Sequence, residues 1–195
     1  MLLSTMKDII YNYFPKDINP CEDSYEKTIE NRKLLVKLQN ASEDVKWLNF
    51  KIMLNKISEI KNYVDLSTFS FSTTCFKLDI ITNINDQFYK IEFLVSILSP
   101  LFCYKTKLLR HSDITGISDL SSIEMKSKFQ SWHYSLNNHP KELIPLMDKL
   151  FHVQNKIFNY SLFPESLQNE IIQGVSTNLK EAGKTTIFDC LFTDH

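Results

Sequence analysis

The chain has 195 residues with 22 basic and 23 acidic side chains, a net charge of −1, and 43% hydrophobic content. That balance provides no field for steering onto nucleic acid or an anionic membrane, and no run of like charge marks a local patch. The length fits a single domain, 1–195, able to build a core without staples, and three glycines are too few for a fold built on glycine-rich ligand loops.

The opening stretch, MLLSTMKDIIYNYF, lacks the basic start and apolar run of a signal peptide, and it is too polar to span a membrane. Cys21, Cys75, Cys103 and Cys190 stand at no metal or redox spacing, so reduced thiols in a cytoplasmic protein are expected.

Ser4 to Tyr13 reads as a short helix ended by Pro15. Asp23 or Ser24 then caps a second, with Tyr25, Ile29 and Val36 on one stripe and Arg32 among them. Arg32 is either a side chain whose stem packs while its head reaches water, or half of a buried ion pair. A third helix starts at Ser42 and carries Trp47, Phe50, Leu54, Ile57 and Val64 toward a core.

From Cys75 to Leu108 the period changes to two. Phe76, Leu78, Ile80 and Thr82 share one side of a strand, and Tyr89, Ile91, Phe93 and Val95 share one side of the next. The two sets face the same way only if Ile80 pairs with Ile91, Leu78 with Phe93 and Phe76 with Val95. That register leaves Asn85-Asp86 as a two-residue turn, and both residues tolerate the positive φ it requires. A third strand continues the apolar face with Phe102, Tyr104 and Thr106. Phe69 and Phe71 alternate ahead of the meander as a possible edge strand, and residues 109–120 read as a loop.

The last third reads as helix. Met125, Phe129, Trp132 and Leu136 form one stripe. Pro140 starts a helix bearing Leu143, Met147, Leu150 and Ile157, made irregular by Pro145. Pro164 opens another through Leu167, Ile171, Val175 and Leu179, and TTIFDCLF after it reads as a strand. The expected fold is α+β: a central antiparallel β-meander of three to five strands against five or six helices.

The Gly183-Lys184-Thr185 tripeptide resembles the tail of a phosphate loop, but the first glycine of that motif would fall at Asn178. Gly183 is expected instead as the left-handed residue past a helix end, with Lys180 and Lys184 near its negative pole. The histidines, His111, His133, His139, His152 and His195, show neither HExxH nor HxH spacing, so no metal and no cofactor is expected. His152 is expected in solvent. Glu124-x-Lys126 matches the end of a nuclease metal motif but falls at the start of an expected helix. Serine-hydrolase and zinc-deaminase signatures are absent.

The outward sheet face carries Lys77 and Asp79 on one strand and Lys90 and Glu92 on the next. Asp79 falls opposite Glu92, and the diagonals Asp79–Lys90 and Glu92–Lys77 neutralise the pair. Two adjacent carboxylates also offer a landing point for a partner's cation.

YNYFPKDINP, DSYEKTIENRKLL, EFLVSILSPLFCY and the closing TIFDCLF together resemble small bacterial immunity proteins encoded beside polymorphic and type VI secreted toxins. The resemblance spans most of the chain and rests on turns, strands and helix faces. It implies a cytoplasmic protein that is not an enzyme and that binds a cognate toxin domain, occluding its active site or substrate surface. No motif of that group fixes a contact residue. The sequence offers the polar sheet face (Lys77, Asp79, Lys90, Glu92) and the 109–120 loop with His111 and Asp113. Two other readings are a small hydrolase or nuclease using His133 with Asp113, and a scaffolding protein.

Overall fold

The computed structural model describes residues 2–69, 73–109 and 132–192. Helix α1 (Leu2–Tyr11) buries Met6 and Ile10. Helix α2 (Ile29–Ser42) begins later than Asp23 or Ser24. Tyr25–Lys27 forms a separate 3-10 turn, and Thr28, with extended backbone, accepts the Asn31 N–H at 3.2 Å on its hydroxyl. A later start turns a different face inward. Asn31, Leu34, Leu38 and Ala41 are buried on α2 and Tyr25 is buried in the 3-10 turn, whereas Ile29 and Val36 of the expected stripe are exposed.

Helix α3 (Val45–Leu54) is capped by Asp44, whose carboxylate accepts from the amides of Lys46 and Trp47 at 2.7 and 3.3 Å. It ends ten residues before Val64. Ile60–Asp65, with Val64 in it, forms strand β1 against β2 (Cys75–Ile84). The edge strand is therefore β1. Phe69 lies in irregular chain beyond it, and Phe71 lies outside the described residues.

Strands β2, β3 (Gln87–Ser96) and β4 (Leu101–Leu109) form the expected antiparallel meander. Ile80 pairs with Ile91, Leu78 with Phe93 and Phe76 with Val95, and the turn residues Asn85 and Asp86 have φ of 52° and 59°. Beyond β4 the sheet is completed at one end by β5 (Trp132–His133), antiparallel, and at the other by β6 (Ser161–Leu162), parallel. Trp132 therefore belongs to a strand, because the open edge of β4 offers Lys107 and Leu108 for pairing. Met125, Phe129, Glu124 and Lys126 lie outside the described residues.

Helix α4 (Ile144–Ile157) follows a 3-10 turn at Lys141–Leu143 and holds Pro145 in its first turn, where no amide is needed. After a 3-10 turn at Glu165–Leu167 no helix reaches Leu179. The amides of Ile172 and Ile187 donate to the carbonyls of Thr185 and Glu170, and Gly174 turns the chain at φ 73°. Ile171 and Leu179 are exposed as a result. TTIFDCLF is not a strand: Ile187–Phe192 forms helix α5.

One sheet face is covered by α3 and α4. Trp47 stacks on Phe76 at 4.6 Å, Phe50 on Phe93 at 5.5 Å, and Phe151 leans on Phe102 at 5.7 Å. The second face is not left open. Helix α5 lies against β3 and α1 against α5, with Cys75, Leu94 and Cys103 fully buried in the same core. The α+β class and the meander match the sequence, while the layering is helix–sheet–helix.

Candidate interaction surface

Strands β2 and β3 bring Lys77, Asp79, Lys90 and Glu92 together as their register requires. Lys90 pairs with Asp79, and Lys77 and Lys105 both stand 3.4 Å from Glu92. The side chains of Asp79, Lys77, Lys90 and Glu92 are only 10, 12, 17 and 19% exposed. The polar face is thus turned upon itself rather than toward solvent. Burial raises the Asp79 pKa, outweighing the Lys90 charge, and Asp79 Oδ1 has no hydrogen-bond partner among the described residues. His111 and Asp113 lie outside the described residues, and His133 is placed only by its backbone, opposite Lys107 on β5. His152 is exposed, as expected.

The Gly-Lys-Thr stretch resolves differently from expectation. Gly183 is left-handed at φ 82°, but it sits in the Glu181–Lys184 turn rather than past a helix, and helix α5 follows it. Thr186 and Asp189 cap that helix reciprocally. The Asp189 carboxylate accepts from the Thr186 N–H and hydroxyl at 2.8 and 2.7 Å, and the Thr186 hydroxyl accepts from the Asp189 N–H at 3.2 Å. Lys180 adds an ion pair to Asp189 at 2.9 Å, and Lys184 pairs with Glu181. The helix start is occupied by its own acid.

A polar node missed in the sequence joins β4 to the segment before α4. Tyr104 is 2% exposed, and its hydroxyl donates to the Asn137 carbonyl with His139 Nδ1 at 2.8 Å. Asn137, at φ 58°, accepts the Tyr104 N–H on its side chain and donates to the Phe163 carbonyl at 2.7 Å. Burial pushes the Tyr104 hydroxyl up to about 12 and holds His139 below its ordinary value. These groups lock a crossing of three segments, with the tyrosine away from solvent. No local sequence signal links residues so far apart.

The open surface lies on α2. Residues Ile29, Arg32, Lys33, Val36, Lys37 and Asn40 recur at spacings of three and four, and with Asn12 and Tyr13 after α1 they line a groove of about 500 Å³. Ile29 is 65% and Val36 57% exposed. Lys33 donates to Asn12 Oδ1 at 2.6 Å, and no carboxylate lines the groove. Arg32 and Lys37 are exposed and form no ion pair among the described residues, so Arg32 is not half of a buried ion pair. Helix α3 also exposes Val45, Leu48 and Ile52.

Among the described residues no group of three or more His, Cys, Asp or Glu is placed to hold a metal, and no helix is long and apolar enough to cross a membrane. All four cysteines are free thiols, Cys21 exposed and the others buried. The chain matches no family model, no curated protein and no solved structure.

Proposed function

We propose that this chain is an immunity protein that binds a cognate secreted bacterial toxin and neutralises it by covering the toxin's active site or substrate surface. The supporting observation is the two-sided character of α2. Leu34 and Leu38 commit one side to the core, while Ile29 and Val36 stand in solvent beside cations without carboxylate partners. Exposed aliphatic side chains interleaved with arginine are what a protein partner covers. The resemblance of the chain to immunity proteins gives that partner its class. In this reading the chain performs no chemistry and its site of action is the cytoplasm.

The test is co-expression with the toxin domain encoded beside it. Growth should be rescued and the two chains should elute together. Unrescued growth with separate elution would end the immunity reading.

A further inference from the structure

We propose that the α1–α2 groove receives an amphipathic helix of a protein partner, about three turns long, whose apolar stripe is flanked by aspartate or glutamate. The proposal rests on the partner-binding reading of α2, but not on the partner's being a toxin.

Three observations select this occupant. The first is charge. The whole chain is nearly neutral at −1, yet Arg32, Lys33 and Lys37 gather at the groove and no acid lines it. An acidic partner supplies what the fold withholds, and the gain appears in encounter rate and orientation as well as affinity. The second is spacing. Ile29 and Val36 lie on one face two turns apart, and the lining from Ile29 to Asn40 runs about 16 Å along the axis, the length of roughly three helical turns. The third is backbone chemistry. The α2 wall is helical, with its interior peptide groups already bonded along the helix, so it offers side chains rather than a sheet edge. An extended segment would be covered there with its peptide groups unmatched. A helix satisfies its own.

The experiment uses the full chain, labelled with nitrogen-15 and titrated with a synthetic helical peptide of about 14 residues. The peptide has leucines at spacings of three and four and glutamates beside them. A matched peptide carries lysine in place of each glutamate. The glutamate peptide should bind at least about tenfold more tightly, weaken as salt is raised, and shift the amides of residues 29–40. Arg32→Glu with Lys37→Glu should abolish that preference, and Val36→Asp should weaken both peptides. All three side chains are exposed, so these variants should keep the parent melting temperature. The peptide charge swap and salt series also test the idea without any variant.

Equal binding of the two peptides, shifts confined elsewhere, or no binding would overturn it. So would self-association lost in Val36→Asp, which would assign the groove to a second copy. Binding of phosphatidylserine vesicles through the same residues, without the peptide preference, would assign it to a membrane. If the glutamate peptide binds but the neighbouring toxin does not, the groove stands and the immunity reading fails. If the toxin binds and Arg32→Glu with Lys37→Glu changes nothing, the reverse holds.

Discussion

Asp79 stands directly opposite Glu92 across β2 and β3, and each carboxylate is held by the lysine on its diagonal, Lys90 and Lys77. A like-charge pair at the centre of a sheet is tolerated because both diagonals are filled. The arrangement is a neutralised, half-buried cluster. Removing one cation should therefore cost more than removing a whole pair. Lys90→Met is expected to destabilise by about 2–3 kcal/mol in urea unfolding, because Asp79 is left without its counter-charge. Lys90→Met with Asp79→Leu should recover to within about 1 kcal/mol of the parent. The Asp79 pKa is raised above 3.8, so the fold holds that proton more tightly than the unfolded chain does. Its share of stability then falls as pH rises through that interval, and Lys90→Met should widen the interval.

Asp65 ties the edge strand to α3. Its carboxylate accepts from Trp47 Nε1 at 3.1 Å, Lys51 Nζ at 2.6 Å and the Ser67 amide at 3.0 Å. Desolvation pushes its pKa upward, but the bonds from Lys51 and Ser67 carry it below 3.8. Its stabilisation is thus present above pH 3.8 and lost as pH falls through the depressed folded value. Asp65→Asn should cost about 1–2 kcal/mol at neutral pH, and the difference from the parent should shrink in acid unfolding curves.

His139 carries the opposite charge type with a related consequence. Desolvation lowers its pKa below 6.5, so the fold favours the neutral ring. That contribution is complete above 6.5 and is lost as pH falls through the folded value. His139→Gln should flatten the stability profile between about pH 5 and 7. Tyr104→Phe, which removes the hydroxyl shared with Asn137, should cost about 1–2 kcal/mol at every pH in that range. An unchanged slope in His139→Gln would mean that the ring is not held neutral.

The two left-handed glycines among the described residues, Gly174 and Gly183, should differ. A Cβ at Gly174 would fall 2.7 Å from Asp17 Oδ1, whereas one at Gly183 would meet nothing within 4 Å. Gly183→Ala should cost about 1 kcal/mol from backbone strain alone, and Gly174→Ala measurably more. Thermal melts of the two variants decide this directly.

The β2–β3 register was legible because two independent signals agree: the period-two apolar sets and a turn whose Asn85 and Asp86 both accept positive φ. The groove was hidden by an ambiguity of start. Asp23, Ser24 and Thr28 can all cap a helix, and choosing the early start makes Ile29 and Val36 a core stripe and Arg32 an anomaly. Beginning at Thr28 sets Leu34, Leu38 and Ala41 inward and leaves Arg32 unremarkable. The closing segment failed for another reason. Its β-branched start suggests a strand, but the Thr186–Asp189 cap and the packing of Phe188 and Phe192 on Phe163 favour a helix of six residues. So short a segment has no periodicity to read. The layering was also missed, since nothing local says that α5 will pack against β3 on the sheet's second face.

In the proposed function this protein acts through the exposed side of α2, where Ile29 and Val36 stand in solvent. Hydrogen exchange of the full chain, alone and with the toxin partner proposed for it, is the measurement that checks this. Slowed exchange is expected in residues 29–40, and Val36→Asp together with Arg32→Glu should remove both the slowing and the protection of growth. A complex that slows exchange in β2 and β3 but leaves α2 unchanged would contradict it.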